Sequence, residues 1–267
     1  MVTGATSGIG ESFCYELADR GMNILLISRS EEKLKNVASK VESKYKVQTQ
    51  YLIRDFADTK DSIIKEFTSS LKSKLEELDN DGGVGMLCNC VGVVNSLPSL
   101  LHETDPEEIR QILCVNNDGT VLMSTAVLPF MMKKKSGAII TVSSGSCRHA
   151  TPLVSLYSAT KAFGHQLTRS MHYEYKEYGI DCICVTPYYF ISNLYKRKKA
   201  TYMAPFPETI VNATLPLLGY RAEAFPYWAH WLGCEVATKW TPKDPADRML
   251  VSLKQNRERA LAKMKKN

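Results

Sequence analysis

The chain has 267 residues, 44% of them hydrophobic, and a formal net charge of +6. That length and apolar content suffice for one sizeable core, and no uninterrupted apolar stretch is long enough to span a bilayer as a helix. The positive charge gathers in Lys196-Arg197-Lys198-Lys199 and in the Lys- and Arg-rich C-terminal segment, a distribution that argues against a nucleic-acid-binding surface.

The chain opens MVTGATSGIG, with Gly4, Gly8 and Gly10 in its first ten residues. Glycine loses the most backbone entropy on ordering, so such a cluster marks a tight turn or a backbone that something approaches closely. A helical pattern follows over residues 11–20. Short β-branched or apolar runs then alternate with longer helical patterns: MNILLIS, TQYLIRD, VGMLCNCVG, GAIITVSS and IDCICVTP, separated by helices over 30–45, 59–78, 105–132 and 156–178. Ser30 stands as N-cap of the second helix, ahead of Glu31 and Glu32 in a first turn that favours acids. Alternation of this kind predicts α/β architecture, a single-domain, Rossmann-type doubly wound parallel sheet with helices on both faces. No Gly/Ser-rich or Pro-rich linker and no repeat interrupts it, so residues 1–267 form one domain.

The eight cysteines include pairs two apart, Cys88/Cys90 and Cys182/Cys184, inside apolar runs. They share one strand face as small buried hydrophobes, and a reducing compartment follows. The five histidines show no metal-ligand spacing, and no metal is assigned.

In a doubly wound sheet the first βα turn is where a dinucleotide pyrophosphate meets a helix N-terminus. The turn here reads T-G-x-x-x-G-x-G, and Gly4, Ser7, Gly8, Ile9 and Gly10 are the candidate pyrophosphate residues. The second strand ends Ser28-Arg29-Ser30. A guanidinium and small hydroxyls suit a 2′-phosphate, so Arg29 points to NADP(H) rather than NAD; the alternative is an ordinary surface cation, with Glu31 or Glu32 reaching the ribose. Asp55, ending the third strand, accepts from the adenine amino group or caps a helix.

The chemistry lies in SSGSCRHATPLVSLYSATK. Tyr157 and Lys161 are four apart on a helix and share a face, and Ser144 falls at the end of a strand. Tyr195 and Lys199 repeat the Y-x-x-x-K spacing, but thirteen residues before Tyr195 stands Cys182, inside a strand. A phenol remains protonated at neutral pH and can donate to a carbonyl; Lys161 and a nicotinamide's developing charge lower its pKa. Ser144 hydrogen-bonds the carbonyl oxygen as negative charge grows there. Asn116, in CVNNDG, holds a water that hydrates the lysine, or simply kinks its helix.

T-G-x-x-x-G-x-G, an N-x-V-G strand end, V-N-N-x-G, the serine and Y-x-x-x-K occur in the order of the short-chain dehydrogenase/reductase family, which this chain resembles over nearly its whole length. Within that family, TGATSGIG, LLISRSEEKL, YSATKAF and PETIVNATLPLLG look most like 17β-hydroxysteroid dehydrogenases, the 3-oxoacyl-CoA reductases of fatty acid elongation, and hydroxysteroid dehydrogenase-like proteins. The resemblance implies NADPH-dependent reduction of a hydrophobic ketone. It also implies that Thr186, Pro187 and Ser192 border the nicotinamide, that Asn89 supports the strand beneath the cofactor, and that a homodimer forms through the helices carrying Asn116 and Tyr157.

Where the family has N-N-x-G, this chain has Asn89-Cys90-Val91-Gly92. The family's first strand has more residues before T-G, and its steroid and acyl-CoA reductases carry a hydrophobic N-terminal segment. Two expectations follow: a piece or alternative start of a membrane-anchored chain, or a stunted first strand in an idle dinucleotide-binding scaffold. The region 188–232, dense in aromatic residues, walls a substrate pocket or rests in a membrane interface, or else forms a packed cap. The run Lys196 to Lys199 lies at the cleft rim, where it suits the phosphates of an acyl-CoA, or is a solvated charge cluster. The end, Lys263-Met264-Lys265-Lys266-Asn267, carries the K-x-K-x-x pattern that retrieves cytosolic tails to the endoplasmic reticulum, or is a solvated helix end.

Overall fold

The computed structural model describes residues 1–192, 199–240 and 244–264. Tyr195, Lys196 to Lys198 and the final Lys265-Lys266-Asn267 lie outside the described residues, and the sequence-based expectations for them with it.

Seven parallel strands form one sheet in the order β3-β2-β1-β4-β5-β6-β7. They are β1 (Val2–Thr3), β2 (Ile24–Ser28), β3 (Thr49–Ile53), β4 (Met86–Asn89), β5 (Gly137–Val142), β6 (Ile180–Val185) and β7 (Glu223–Ala224). Nine α-helices join or flank them among the described residues: α1 (Gly8–Asp19), α2 (Glu31–Tyr45), α3 (Asp61–Asp79), α4 (Pro106–Leu113), α5 (Gly119–Lys134), α6 (Ser155–Tyr175), α7 (Pro207–Thr214), α8 (Trp228–Lys239) and α9 (Pro245–Met264).

Strand alternation builds a core on each face of the sheet. Leu26, Cys88, Ile140 and Ile183 face one cluster with Phe13, Leu17, Leu34 and Val211. Their neighbours Leu25, Leu87, Ile139 and Cys182 face the other, with Leu71, Met123, Val127 and Met171. Successive side chains point to opposite faces, so strands covered by helices on both sides read as continuous apolar runs. Helix α2 shows the matching helical spacing, burying Leu34, Val37, Ala38 and Val41, one stripe of a 3.6-residue period. Ser30 is its N-cap residue, but makes no side-chain capping bond.

Although it has two residues, β1 pairs on both sides, Val2 opposite Leu26 and Cys88. Thr3 secures it further: its hydroxyl accepts from the backbone N–H of Cys90 at 3.0 Å and of Val91 at 3.3 Å. The chain thus crosses from one half of the sheet to the other at β1 and β4, the switch point at which such sheets bind ligands.

The single helix expected over 105–132 is instead two helices joined by a five-residue π segment, Cys114–Asp118. A π turn admits an extra residue and disturbs the i, i+4 ladder; here it carries Asn116. Beyond β6 the structure adds strand β7 and helices α7 to α9, which complete the described part of the chain. Among the described residues no helix is long and apolar enough to cross a membrane. No cluster of three metal-ligating side chains occurs among them, and all eight cysteines are free thiols.

Candidate active site

The carboxyl ends of the central strands open on a cleft of about 590 Å³. The glycine turn forms one end. Gly4 and Gly8 sit at φ +63° and +57°, the left-handed region that side chains rarely adopt. Gly10 needs its missing side chain for a different reason: a Cβ there would overlap the Gly4 carbonyl, lying 2.8 Å from its carbon. At Gly8 a Cβ would instead project toward Phe190 and Ser192, 3.9 Å from each, filling the space over the start of α1. Ser7, the N-cap residue of α1, makes no capping bond and lines the cleft with Ile9. This bare helix start, with unpaired N–H groups and room above it, fits the pyrophosphate of a dinucleotide.

Arg29 is exposed, lines the cleft beside Ser28, Ser30 and Lys33, and has no hydrogen-bond or ion-pair partner among the described residues. The Ser28 hydroxyl is 2.9 Å from that of Thr6. Asp55 also lines the cleft, but its carboxylate accepts from the Ala57 N–H at 3.0 Å, so it closes the turn leading toward α3. Pro187 and Ser192 line the cleft as expected. Thr186 and Asn89 do not. Asn89 is buried and donates to the Ser124 hydroxyl of α5 at 3.1 Å, tying β4 to a helix rather than facing a ligand.

Ser144, Tyr157 and Lys161 converge on the middle of the same cleft. Ser144 caps a short 3₁₀ turn, Gly145–Arg148, accepting from the Ser146 N–H at 3.2 Å. Tyr157 and Lys161 lie on α6, with the ammonium 5.8 Å from the phenol ring centroid. Lys161 is buried and donates to the Val142 carbonyl at 3.0 Å; burial lowers its pKa. Gly92 makes room for it, since a Cβ there would lie 3.0 Å from Nζ. Burial pushes the Tyr157 phenol up to about 12, against a hydrogen bond from Ser144 that acts to lower it. The protein's own groups therefore keep the phenol protonated, and the lowering expected from Lys161 does not offset burial.

Asn116 is more committed than the sequence predicts. Its Oδ1 accepts from the Val93 N–H at 2.8 Å, and Nδ2 donates to the Val93 carbonyl at 2.9 Å and to the Thr160 hydroxyl at 2.8 Å. Both amide protons are consumed in joining the π segment to the loop after β4 and to α6. One lone pair of Oδ1 remains.

The far end of the cleft contains residues that the sequence did not flag. Ser99 donates to the Leu153 carbonyl at 2.9 Å, folding the loop after β4 over the entrance to α6, and Leu153 takes φ +64° to turn there. Pro98, Thr151 and Val154 line that end with Met249 and Leu253 of α9. The last two carry no local signal, because they lie about a hundred residues beyond the chemistry in sequence. His149, also unflagged, pairs with Tyr188, Nε2 to Oη 3.0 Å; Tyr188 belongs to the aromatic region expected to wall a pocket, and it lines the cleft.

A parallel sheet with a glycine turn at its switch point and a serine, tyrosine and lysine on one cleft defines a dinucleotide-dependent oxidoreductase fold. The family model for short chain dehydrogenase matches residues 1–202, and the chain belongs to that family. It is 36% identical over 239 residues to the very-long-chain 3-oxoacyl-CoA reductase of Bos taurus, covering 89% of this chain and 73% of that protein. Over 234 residues it is 35% identical to inactive hydroxysteroid dehydrogenase-like protein 1 of Homo sapiens, covering 86% and 68%. A solved 7β-hydroxysteroid dehydrogenase superposes with a TM-score of 0.79 at 21% identity, over 94% of this chain and 95% of that one, a likeness of fold.

Proposed function

We propose that this chain is an NADPH-dependent reductase of a hydrophobic ketone, either a long-chain 3-oxoacyl-CoA or a 17-ketosteroid. The observation that carries the reading is the convergence of Ser144, Tyr157 and Lys161 on the cleft that begins at the Gly4–Gly10 turn. The dinucleotide, when bound, supplies the hydride. Gly4, Ser7, Gly8, Ile9 and Gly10 hold its pyrophosphate and Arg29 its 2′-phosphate, the unpaired guanidinium being the support for NADPH over NADH. Tyr157 delivers its phenolic proton to the carbonyl oxygen, and the Ser144 hydroxyl hydrogen-bonds the same oxygen. Lys161, held against the end of β5, stabilises the phenolate left behind, and Asn116 offers its remaining lone pair to a water that reprotonates the site.

The test is NADPH oxidation with long-chain 3-oxoacyl-CoAs and ketosteroids, run beside Tyr157→Phe. Wild type turns over one class, and the variant loses about 10²- to 10⁴-fold in kcat/KM, the range for a general acid. Equal slow rates in both proteins overturn the reading. They would favour the second one, an idle dinucleotide-binding scaffold, whose support is the similarity to a human protein named inactive.

A further inference from the structure

Glu223 sits on the two-residue edge strand β7, paired with Cys184 of β6. Its carboxylate gathers groups from two elements that the chemistry depends on. Oε1 accepts from Arg148 Nη1 at 2.8 Å. Oε2 meets His165 Nε2 in a short contact, with Arg169 Nε at 3.3 Å. Arg148 ends the 3₁₀ turn that Ser144 caps, and its guanidinium lies 5.5 Å from the Phe225 ring centroid. His165 and Arg169 lie on α6, one and two turns beyond Lys161, and His165 is only 8% exposed. None of these four residues lines the cleft.

We propose, building on the reductase reading above, that Glu223 is a positioning residue: one carboxylate ties the turn carrying Ser144 to the helix carrying Tyr157 and Lys161, and so fixes the spacing of the two hydroxyls. Isolated exposed ion pairs contribute little. This one differs because three donors from two elements share one acceptor and one donor is buried, so losing the carboxylate removes a tie from both elements at once, leaving the Ser143 hydroxyl to Lys161 carbonyl bond at 2.7 Å and the Gly145 N–H to Pro187 carbonyl bond at 2.8 Å to hold the turn less tightly. The charge state suits the role. Burial raises the Glu223 carboxyl, but Arg148 and His165 more than offset this and hold it below its usual range. Burial lowers His165 despite the pull of Glu223, so the imidazole is neutral at pH 7 and its Nε2–H donates to the carboxylate.

The consequence for chemistry runs through Tyr157, which is faced by Ser144, Lys161, Cys147 and Tyr189. Among these, the Ser144 hydroxyl is the group whose hydrogen bond lowers the phenol's pKa. A turn that loses this tie lets that hydroxyl shift from the phenol, and the phenol rises.

The experiment measures kcat, KM and dinucleotide affinity across pH for Glu223→Ala, Glu223→Gln and Arg148→Met, with Lys133→Met as a control that breaks a distant surface pair with Asp79. The expected result for Glu223→Ala and Arg148→Met is a fall in kcat of about tenfold, the scale of a small misplacement. KM and dinucleotide affinity stay within about twofold of wild type, and the basic limb of the kcat profile moves to higher pH. Glu223→Gln, which keeps an acceptor for Arg148, recovers most of kcat. Arg148→Met alters an exposed side chain and keeps the test alive if Glu223→Ala fails to fold. Folded variants with wild-type kcat and an unmoved basic limb overturn the proposal, as does loss of dinucleotide affinity in parallel with kcat. If wild type reduces no ketone, the reductase reading falls by itself. The network is then read without substrate, from the Tyr157 ring resonance in ¹³C-tyrosine-labelled protein, assigned with Tyr157→Phe. A resonance moved in both variants but not in Lys133→Met supports the positioning role, and an unmoved one overturns it.

Discussion

Arg257 on the last helix donates two parallel hydrogen bonds to the carboxylate of Glu103, at 2.7 and 3.0 Å. The pair joins α9 to the loop after β4, one turn beyond Leu253 in the cleft wall. A bidentate fork of this kind fixes geometry as well as attracting charge, so α9 is strapped over the far end of the cleft.

This strap gives one carboxyl a share in the pH dependence of stability. Arg257, with the Leu100 N–H, holds the Glu103 pKa at about 2, below its ordinary value of 4.5. A carboxyl depressed in the folded state contributes stability above its unfolded pKa and loses it as pH falls through its folded one. The contribution is therefore complete above pH 4.5 and disappears toward pH 2. Thermal melts of wild type and Glu103→Gln should differ most at neutral pH and converge between pH 4.5 and 2. A gap independent of pH would contradict this assignment.

The glycine turn tolerates no methyl group at Gly10, where a Cβ would overlap the backbone of Gly4. Neither partner is a flexible side chain that can move aside. Gly10→Ala should cost about 1–3 kcal/mol of stability as overpacking against backbone, and should weaken dinucleotide binding more than Gly21→Ala, whose site has open space around it. Calorimetric unfolding and a dinucleotide titration check both statements.

Arg29→Asp reverses the charge beside the site proposed for the 2′-phosphate. Loss of a hydrogen bond between charged groups costs about 1.5–3 kcal/mol, and preference should move toward NADH. Titrations of the variant with NADPH and NADH measure it; unchanged NADPH affinity would make Arg29 a surface residue only.

Asn116→Ala removes three hydrogen bonds that join the π segment, the loop after β4 and α6. It leaves the partly buried Val93 N–H and carbonyl without their partner, a cost toward the lower end of the about 1–3 kcal/mol for a buried group left unsatisfied. Denaturant unfolding should show that loss, together with slower turnover from a loosened Lys161 environment. An unchanged midpoint would mean that Val93 finds water instead.

The π segment, Cys114–Asp118, leaves no mark in the local sequence pattern. V-N-N-x-G stood out as a motif, yet a helical period with one extra residue looks like a continuous helix, and residues 105–132 read as one. Asn116 was legible as a site residue, but its bonds to Val93 and Thr160 depend on partners 23 and 44 residues away. Asn89 reads from its motif as a support for the strand beneath the cofactor, but the partner that lets it tie β4 to α5, Ser124, lies 35 residues away and is not visible in the motif. Short strands such as β7 are illegible in principle: two residues carry no period.

What the sequence determined by itself are the features set by local chemistry. Apolar runs and helical stripes alternate, so the sheet is parallel and covered on both faces. Gly4, Gly8 and Gly10 are fixed by backbone φ and by close approach, and Tyr157 and Lys161 share a face because four residues make about one helical turn. Tertiary structure alone decided what surrounds that chemistry. Met249 and Leu253 line the cleft on the same helix whose Arg257 pairs with Glu103, and Glu223 meets Arg148 and His165 from an edge strand beside β6. Such contacts join residues 58 to 154 positions apart, and no local period or propensity records them. They exist only once the sheet has assembled and its burial has brought those side chains together.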